Sequence, residues 1–235
     1  KDLKVGESNT GTKVFDYSQS YPGVGFDFGV VYEWRPSYLK YKYNMDGEKD
    51  LWRKDKNKKV LYLTFDDGPN ESVTFGVLNE LDRLGIKATF FCIGKNVEKH
   101  PELFEEIQKR GHKIGSHGYG HIKGIFHDDE SFYEDIKKAE KFIQSNLFRP
   151  PHGHITPKQI KHICNDYTIV LWDVITRDYN QKLRPEQVYQ IAIKYARNGS
   201  IIVFHDSVKA AKNMQYAFPK AVEYWQKEGY KFEVL

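Results

Sequence analysis

The stretch "VLYLTFDDGPN", Val60 to Asn70, runs through six mostly apolar residues with a strong preference for strands and ends on two adjacent carboxylates. Asp, Gly and Pro in succession are typical of the turn that follows a strand. Two acids at the end of a buried strand are also what an active site needs. This segment alone therefore leaves two interpretations open, a solvated turn and a catalytic site.

From Lys59 onward, short apolar runs alternate with segments of helical periodicity. The apolar runs lie in "VLYLTF", "ATFFCI", "HKIGSH", "FRPPHG", "TIVLWDV", "SIIVFH" and "YKFEVL". The predicted helices span about 72–84, 101–110, 130–145, 157–165, 185–197 and 218–227. Roughly seven such units predict an α/β fold with a parallel sheet inside a layer of helices, either open or closed, and we favour a closed barrel.

Five polar motifs follow the predicted strands: "DDG", "SHGYGH", "RPPHG", "TRDY" and "HDS". A parallel barrel carries its chemistry on the loops at the carboxyl ends of its strands. The motifs are therefore expected to converge on one face, which favours the catalytic interpretation of "DDG".

Residues 1–58 differ from the rest of the chain, because they are rich in glycine and aromatic residues and alternate around Asp46-Gly47 in a pattern typical of a hairpin. We predict a β-rich N-terminal extension packed on a barrel domain of residues 59–235. Covering a barrel end, shaping a substrate groove and contacting a partner are all possible roles for it.

The composition excludes some functions. The 36 basic and 32 acidic residues give a net charge of only +4, which does not indicate nucleic-acid binding. No apolar window is long enough for a transmembrane segment, and "KDLKVGESNT" at the start contains no apolar signal region, so the export route cannot be predicted. Cys92 and Cys164 lie in apolar runs and are expected to be buried free thiols.

His117 and His121 in "HGYGH" are four residues apart, a spacing that allows both to bind one metal ion. Gly118 and Gly120 favour a loop over a regular helix. Two imidazoles and one carboxylate, with positions left open, are typical of a catalytic metal site. One aspartate of "DDG" could complete the set, and the other could take a proton from the attacking water.

Cleavage of an amide also needs an acid for the leaving nitrogen. His205, at the end of "IIVFH", is a candidate, and Asp178 in "TRDY" could hold it and stabilise its charge. A histidine buried in the core for packing alone is the alternative for His205.

Together these motifs resemble the polysaccharide deacetylase family, carbohydrate esterase family 4, over about residues 59–235, with "TFDDGP" matching its first motif. The resemblance implies a distorted (β/α)7 barrel, and it implies a role for each of nine residues. Asp66 is the general base and Arg149 orients it; Asp67, His117 and His121 bind a divalent metal, commonly zinc, with cobalt or nickel possible; His205 is the acid with Asp178 behind it; and Ile201 and Val203 line the acetyl pocket.

The chain departs from the family pattern in four places. Gly118 replaces a Ser or Thr that anchors the metal loop, and Ile175 stands where many members carry an acid. His152 replaces a tyrosine whose backbone N-H helps to stabilise the oxyanion, and Tyr179 replaces a tryptophan. A backbone donor survives a side-chain change, so the oxyanion site is still expected. The His152 imidazole could reach the metal or a substrate hydroxyl, or simply form part of the groove wall.

The resemblance thus implies a metal-dependent hydrolase that removes acetyl groups from an acetylated polysaccharide outside the cytoplasm. Peptidoglycan is the first expected substrate, followed by chitin oligomers, poly-N-acetylglucosamine and O-acetylated xylan. A glycan-binding protein on an inactive deacetylase scaffold is the alternative. The sequence does not predict the oligomeric state.

Overall fold

The computed structural model describes the strands β1 (Val5–Glu7) and β2 (Lys13–Phe15) and residues 50–235. β1 and β2 form an antiparallel pair in which Val5 lies opposite Phe15. The hairpin predicted around Asp46-Gly47 lies outside the described residues. The packing of the extension on the barrel and the domain boundary after residue 58 stay predictions.

The main domain alternates strands and helices along the chain. Its strands are β3 (Asp50–Leu51), β4 (Val60–Asp66), β5 (Thr89–Cys92), β6 (Lys113–Ser116), β7 (Leu147–Phe148), β8 (Thr168–Val170), β9 (Val174–Ile175), β10 (Ile201–His205) and β11 (Lys231–Phe232). Its helices are α1 (Thr74–Leu84), α2 (Gly94–Lys99), α3 (Pro101–Lys109), α4 (Asp129–Glu140), α5 (Pro157–Ile163), α6 (Pro185–Tyr195) and α7 (Ala211–Lys227). Gly124–Phe126 and Pro151–Gly153 form 3-10 turns.

These strands form one sheet in the order β3-β8-β7-β6-β5-β4-β10-β9, and β11 pairs with the start of β4. Every pair in the sheet is parallel. The seven strands from β8 to β9 curl into a distorted (β/α)7 barrel, which confirms the predicted fold class. Within residues 50–235, no ladder joins β9 back to β8 or β3, and this seam is the distortion.

Strand β4 is buried on both faces, which explains its nearly continuous apolar sequence. Leu61, Leu63 and Phe65 pack in the large core between the sheet and the helices. Tyr62 belongs to the smaller core inside the barrel. Because side chains alternate along a strand, Asp66 points to the same interior side as Tyr62, at the open end of the barrel.

Four sequence predictions about secondary structure need correction. The single apolar run "TIVLWDV" contains β8 and the first residue of a second strand, β9, and the helix predicted to reach residue 145 ends at Glu140. Helix α7 begins at Ala211, seven residues before the predicted start, because Pro219 lies inside the helix and not in its first turn. The buried side chains of Met214 and Phe218 continue one apolar face across that proline. Helix α2 was not predicted, since its six residues are too few to show a helical period.

One of the two thiols also differs from expectation. Cys92 is a buried free thiol as predicted, whereas Cys164, next to the end of α5, is only partly buried. No helix in the part of the chain described here is long and apolar enough to cross a bilayer.

Candidate active site

The five predicted motifs meet at the carboxyl ends of the strands. The side chains in question follow or end β4 (Asp66, Asp67), β6 (His117), β7 (Arg149), β9 (Asp178) and β10 (His205). His205 and Asp66 are register partners on the adjacent strands β10 and β4. The structure therefore brings the predicted acid and base next to each other at one end of the barrel.

Backbone strain marks the same loops. Four non-glycine residues in the described part of the chain have positive φ: Asp67 at 81°, His121 at 57°, His152 at 59° and Arg177 at 64°. Residues other than glycine rarely adopt this left-handed region, and they persist there only where the surrounding structure holds them. All four lie in the predicted motif loops, so the strain is concentrated where function is expected.

Asp66 is buried, and its carboxylate is held by the equally buried Arg149. The Nη1 of Arg149 donates to Asp66 Oδ1 at 2.6 Å and to Thr64 Oγ1 at 2.8 Å. Its Nε and Nη2 donate to the carbonyls of Val170 and Leu171, so Arg149 also satisfies backbone oxygens at the barrel seam. The other oxygen, Asp66 Oδ2, lies 3.9 Å from His117 Nε2 and is free of Arg149.

Asp67, His117 and His121 form a group whose potential ligand atoms all lie within 4.8 Å of one another. Asp67 Oδ1 is 3.3 Å from His121 Nε2 and 3.9 Å from His117 Nε2. The Nδ1 of His117 lies 2.7 Å from the Arg149 carbonyl, an arrangement that fixes the ring and directs Nε2 toward the carboxylates. Burial lowers the pKa of His117 well below its ordinary value, which keeps it neutral as a metal ligand must be. The donor set fits one divalent cation with open positions.

The "DDG" turn is fixed by contacts on both sides. Asn96 Nδ2 donates to the Asp67 carbonyl at 2.7 Å. A Cβ on Gly68 would overlap the carboxyl group of the buried Asp206, so the turn requires glycine at this position. Thr74 Oγ1 donates to Asp206 Oδ2 at 2.7 Å, and burial raises the pKa of Asp206 to about 7. Because Gly68 has no side chain, the buried Asp206 carboxyl group can pack directly against the turn that carries Asp67.

The loop from His117 to His121 is anchored by Asp135 of α4. The Asp135 carboxylate accepts from Tyr119 N at 2.8 Å and from Gly120 N at 2.7 Å. A Cβ on Gly118, whose φ is +75°, would lie only 2.5 Å from Asp135 Oδ2. The carboxylate thus occupies the space next to Gly118, which accounts for the glycine where the family pattern has a hydroxyl residue.

We expect Asp135→Ala to weaken divalent-metal binding on the order of 10- to 100-fold, the range found when groups that support metal ligands are removed. The reason is that two backbone donors between the histidines lose a charged acceptor, and the loop loses its fixed geometry. Calorimetric titration of the metal-free protein with zinc measures the change. Glu134→Ala, an exposed neighbour on α4, is the matched control. Unchanged zinc affinity in Asp135→Ala would contradict the anchoring role.

His205 is held by both oxygens of Asp178. Its Nδ1 lies 2.7 Å from Asp178 Oδ1, and its backbone N donates to Asp178 Oδ2 at 2.7 Å. Burial disfavours the charged ring, but the Asp178 carboxylate outweighs burial and raises the pKa of His205 to about 9. The ring is therefore protonated at neutral pH, and these contacts disfavour a role as a core histidine for packing alone.

The remaining predicted residues border this centre. The Tyr179 ring meets the His205 ring edge to face at 5.0 Å, and the His152 ring lies 4.6 Å from the His121 ring. Ile201 and Val203 are buried and lie four and two residues before His205 on β10, so all three side chains face the same side of the strand. His152 is outside the three-ligand group, and partial desolvation together with His121 and Lys123 lowers its pKa to about 4.

Sequence reasoning missed the supporting residues Asp135, Asn96, Thr64 and Asp206. Asp135 and Asn96 lie far along the chain from the loops they hold, so no spacing in the sequence indicates them. Thr64 lies inside "TFDDGP", but its partner Arg149 is 85 residues away. Asp206 directly follows His205 and could have been noticed as a further acid in "HDS".

Comparison with known proteins agrees with this geometry. The profile of the family described as polysaccharide deacetylase matches residues 53–170. The chain belongs to the polysaccharide deacetylase family. This deacetylase homologue is 33% identical to a peptidoglycan-N-acetylglucosamine deacetylase of Bacillus cereus over 189 residues, covering 77% of this chain and 88% of the relative.

Two further relatives show what the match covers. The peptidoglycan-N-acetylglucosamine deacetylase PgdA of Listeria monocytogenes is also 33% identical over 189 residues, but the match spans only 39% of that longer protein. A crystal structure of a peptidoglycan N-acetylglucosamine deacetylase in complex with 4-naphthalen-1-yl-N-oxidanyl-benzamide has a TM-score of 0.78 and 27% identity. It covers 84% of this chain and 95% of the solved chain. The polysaccharide deacetylase assignment therefore rests on both sequence and fold.

Proposed function

We propose that this protein removes the acetyl group from N-acetylglucosamine residues of a glycan, with peptidoglycan as the leading substrate. The observation that carries the proposal is the buried Asp66 carboxylate, held by Arg149 on one oxygen and directed with the other toward the Asp67, His117 and His121 group. The names of the relatives support peptidoglycan as the polymer. Such a substrate places the protein outside the cytoplasm.

The chain's own residues divide the work of hydrolysis. Asp67, His117 and His121 would hold the divalent ion, and zinc is the proposed ion because this donor set is typical of catalytic zinc sites; cobalt or nickel could replace it. When bound, the ion acts as a Lewis acid toward the acetyl carbonyl and makes water more acidic. Asp66 takes the proton from the attacking water, and Arg149 keeps that carboxylate oriented.

Breaking the amide bond requires a proton on the leaving nitrogen. His205 supplies it, because its protonated ring is charged at neutral pH and is fixed by Asp178 on the Nδ1 side. The opposite ring nitrogen, Nε2, is left to donate toward the substrate. The His152 backbone N-H is proposed to stabilise the oxyanion, and Tyr179, Ile201 and Val203 to line the substrate and acetyl pockets.

Acetate release is the test. Zinc-loaded protein is incubated with peptidoglycan, chitin oligomers, poly-N-acetylglucosamine and O-acetylated xylan, with Asp66→Asn as the blank. We expect acetate from the N-acetylated glycans, with peptidoglycan preferred. Metal binding and glycan binding without acetate from any polymer would contradict the enzyme and support the glycan-binding alternative.

A further inference from the structure

A line of aromatic rings leads outward from the predicted metal group. The His121 and His152 rings are 4.6 Å apart, His152 and His154 are 5.9 Å apart, and His154 and Phe126 are 6.0 Å apart. At its outer end the Phe126 side chain is 70% exposed, the largest value among the exposed large hydrophobic residues of the described chain. Its ring is therefore held beside His154 while most of its surface faces solvent.

Hydrogen bonds attach the turn that carries Phe126 to the segment that follows His152. Gly124 N donates to the His154 carbonyl at 3.1 Å, and the buried Gln159 donates through Nε2 to the Gly124 carbonyl at 3.0 Å. A Cβ on Gly124 would lie 2.6 Å from Gln159 Oε1 and 2.8 Å from the His154 carbonyl, so the two loops touch through glycine. These contacts hold the turn that carries Phe126 against the segment that follows His152. They therefore set the position of Phe126 relative to the site.

A lysine side chain lies close to the exposed Phe126 ring. Lys123 Nζ lies 5.8 Å from the centre of the Phe126 ring and belongs to the same turn. Ligand sites combine aromatic surfaces with a few polar groups that fix orientation, and sugars match that combination because their C-H faces are apolar and their rims carry hydroxyls. An exposed ring beside a lysine, continuous with the catalytic centre, has the chemistry of a sugar-binding position.

We propose that Phe126 and Lys123 form an outlying subsite that binds a sugar of the same glycan chain whose acetyl group is cleaved. The inference rests on the proposed function and adds chain-length specificity to it. A short oligomer occupies the centre only, whereas a longer one also stacks a sugar face on Phe126 and reaches Lys123. Affinity should therefore rise with oligomer length until this subsite is filled.

The test measures binding separately from turnover. In an Asp66→Asn background, calorimetric affinities for di-, tetra- and hexasaccharides of N-acetylglucosamine are compared with and without Phe126→Ala. We expect the hexasaccharide-to-disaccharide affinity ratio to fall about tenfold, the size of effect seen when an aromatic residue that the bound partner covers is truncated. Phe126→Trp keeps an aromatic face and should restore the ratio.

The chain offers a matched control. Tyr195, at the end of α6, is 48% exposed and has the neighbouring Lys194 Nζ 5.3 Å from its ring centre. It lies at the end of the helix that leads toward the start of β10, away from the catalytic end, so Tyr195→Ala should leave the ratio unchanged.

Three other outcomes would overturn the subsite or the proposed function. A ratio that is equal in Phe126→Ala and the parent overturns the subsite while leaving the proposed function intact. If Phe126 instead contacts a second copy of the chain, sedimentation will show association that Phe126→Ala abolishes without changing the ratio, which also overturns the subsite. A parent that binds no oligomer, together with a wild type that releases no acetate, overturns the proposed function and the subsite with it.

Discussion

Replacing Asp66 by asparagine is expected to lower the rate of acetate release on the order of 10²- to 10⁴-fold, the range in which general acid-base catalysis contributes. The amide is nearly the same size as the carboxylate and still offers an oxygen to Arg149 Nη1, which now lies 2.6 Å from Asp66 Oδ1. What it cannot do is accept a proton from water. Turnover measured on the preferred glycan, beside zinc stoichiometry, separates loss of the base from loss of the ion.

The control for Asp66→Asn must account for a broken ion pair. Removing one partner of a buried pair leaves the other charge uncompensated, and Arg149 is fully buried. Asp173→Asn breaks an ion pair of the same length at the other end of the barrel, near Ser200, where the Asp173 side chain is buried and its partner Arg197 is half exposed; Asp173 Oδ1 lies 2.6 Å from Arg197. We expect Asp173→Asn to lower the melting temperature while acetate release is retained. Near wild-type acetate release by Asp66→Asn would exclude Asp66 as the base.

The sequence could predict a structural feature when the residues that produce it are close together along the chain. Strand β4 and the turn after it could be predicted, because burial on both faces gives a continuous apolar run and the turn needs Gly68 and Pro69 locally. The convergence of the motif loops followed from the parallel order of the strands. These features depend on local pattern and on general topology.

The supporting contacts could not be predicted in the same way. Asp135 lies on α4 and reaches the His117–His121 loop only because the helix packs beside β6, a contact that no periodicity encodes. In the sequence, Gly118 indicated that the metal loop lacks an anchoring hydroxyl group. In the structure, the Asp135 carboxylate anchors the loop and occupies the space that a Cβ on Gly118 would fill. The beginning of α7 was misplaced for a related reason, since the buried face that continues the helix across Pro219 is set by packing.

His205→Ala is expected to slow acetate release on the order of 10²-fold or more and to remove the alkaline limb of the pH profile. The Asp178 carboxylate raises the pKa of His205 to about 9, and a cation held by Asp67 would lower it, so wild-type activity should fall on the alkaline side of neutral pH as the acid loses its proton. Asp178→Asn keeps the histidine but removes the charge that favours its protonated form. The pKa of His205 should then fall, and the alkaline limb should move to lower pH.

The pH dependence of kcat for the three proteins, each loaded with zinc, distinguishes this role from a structural one. A residue that merely stabilises the fold would lower activity by a similar factor at every pH, since no proton donor is lost. Asn213→Ala is the matched control, because Asn213 Nδ2 holds the same loop through the carbonyls of Asp178 and Asn180 without touching the carboxylate. It should reduce stability and leave the alkaline limb in place. An alkaline limb at the same pH in Asp178→Asn as in the wild type would show that His205 does not supply the proton.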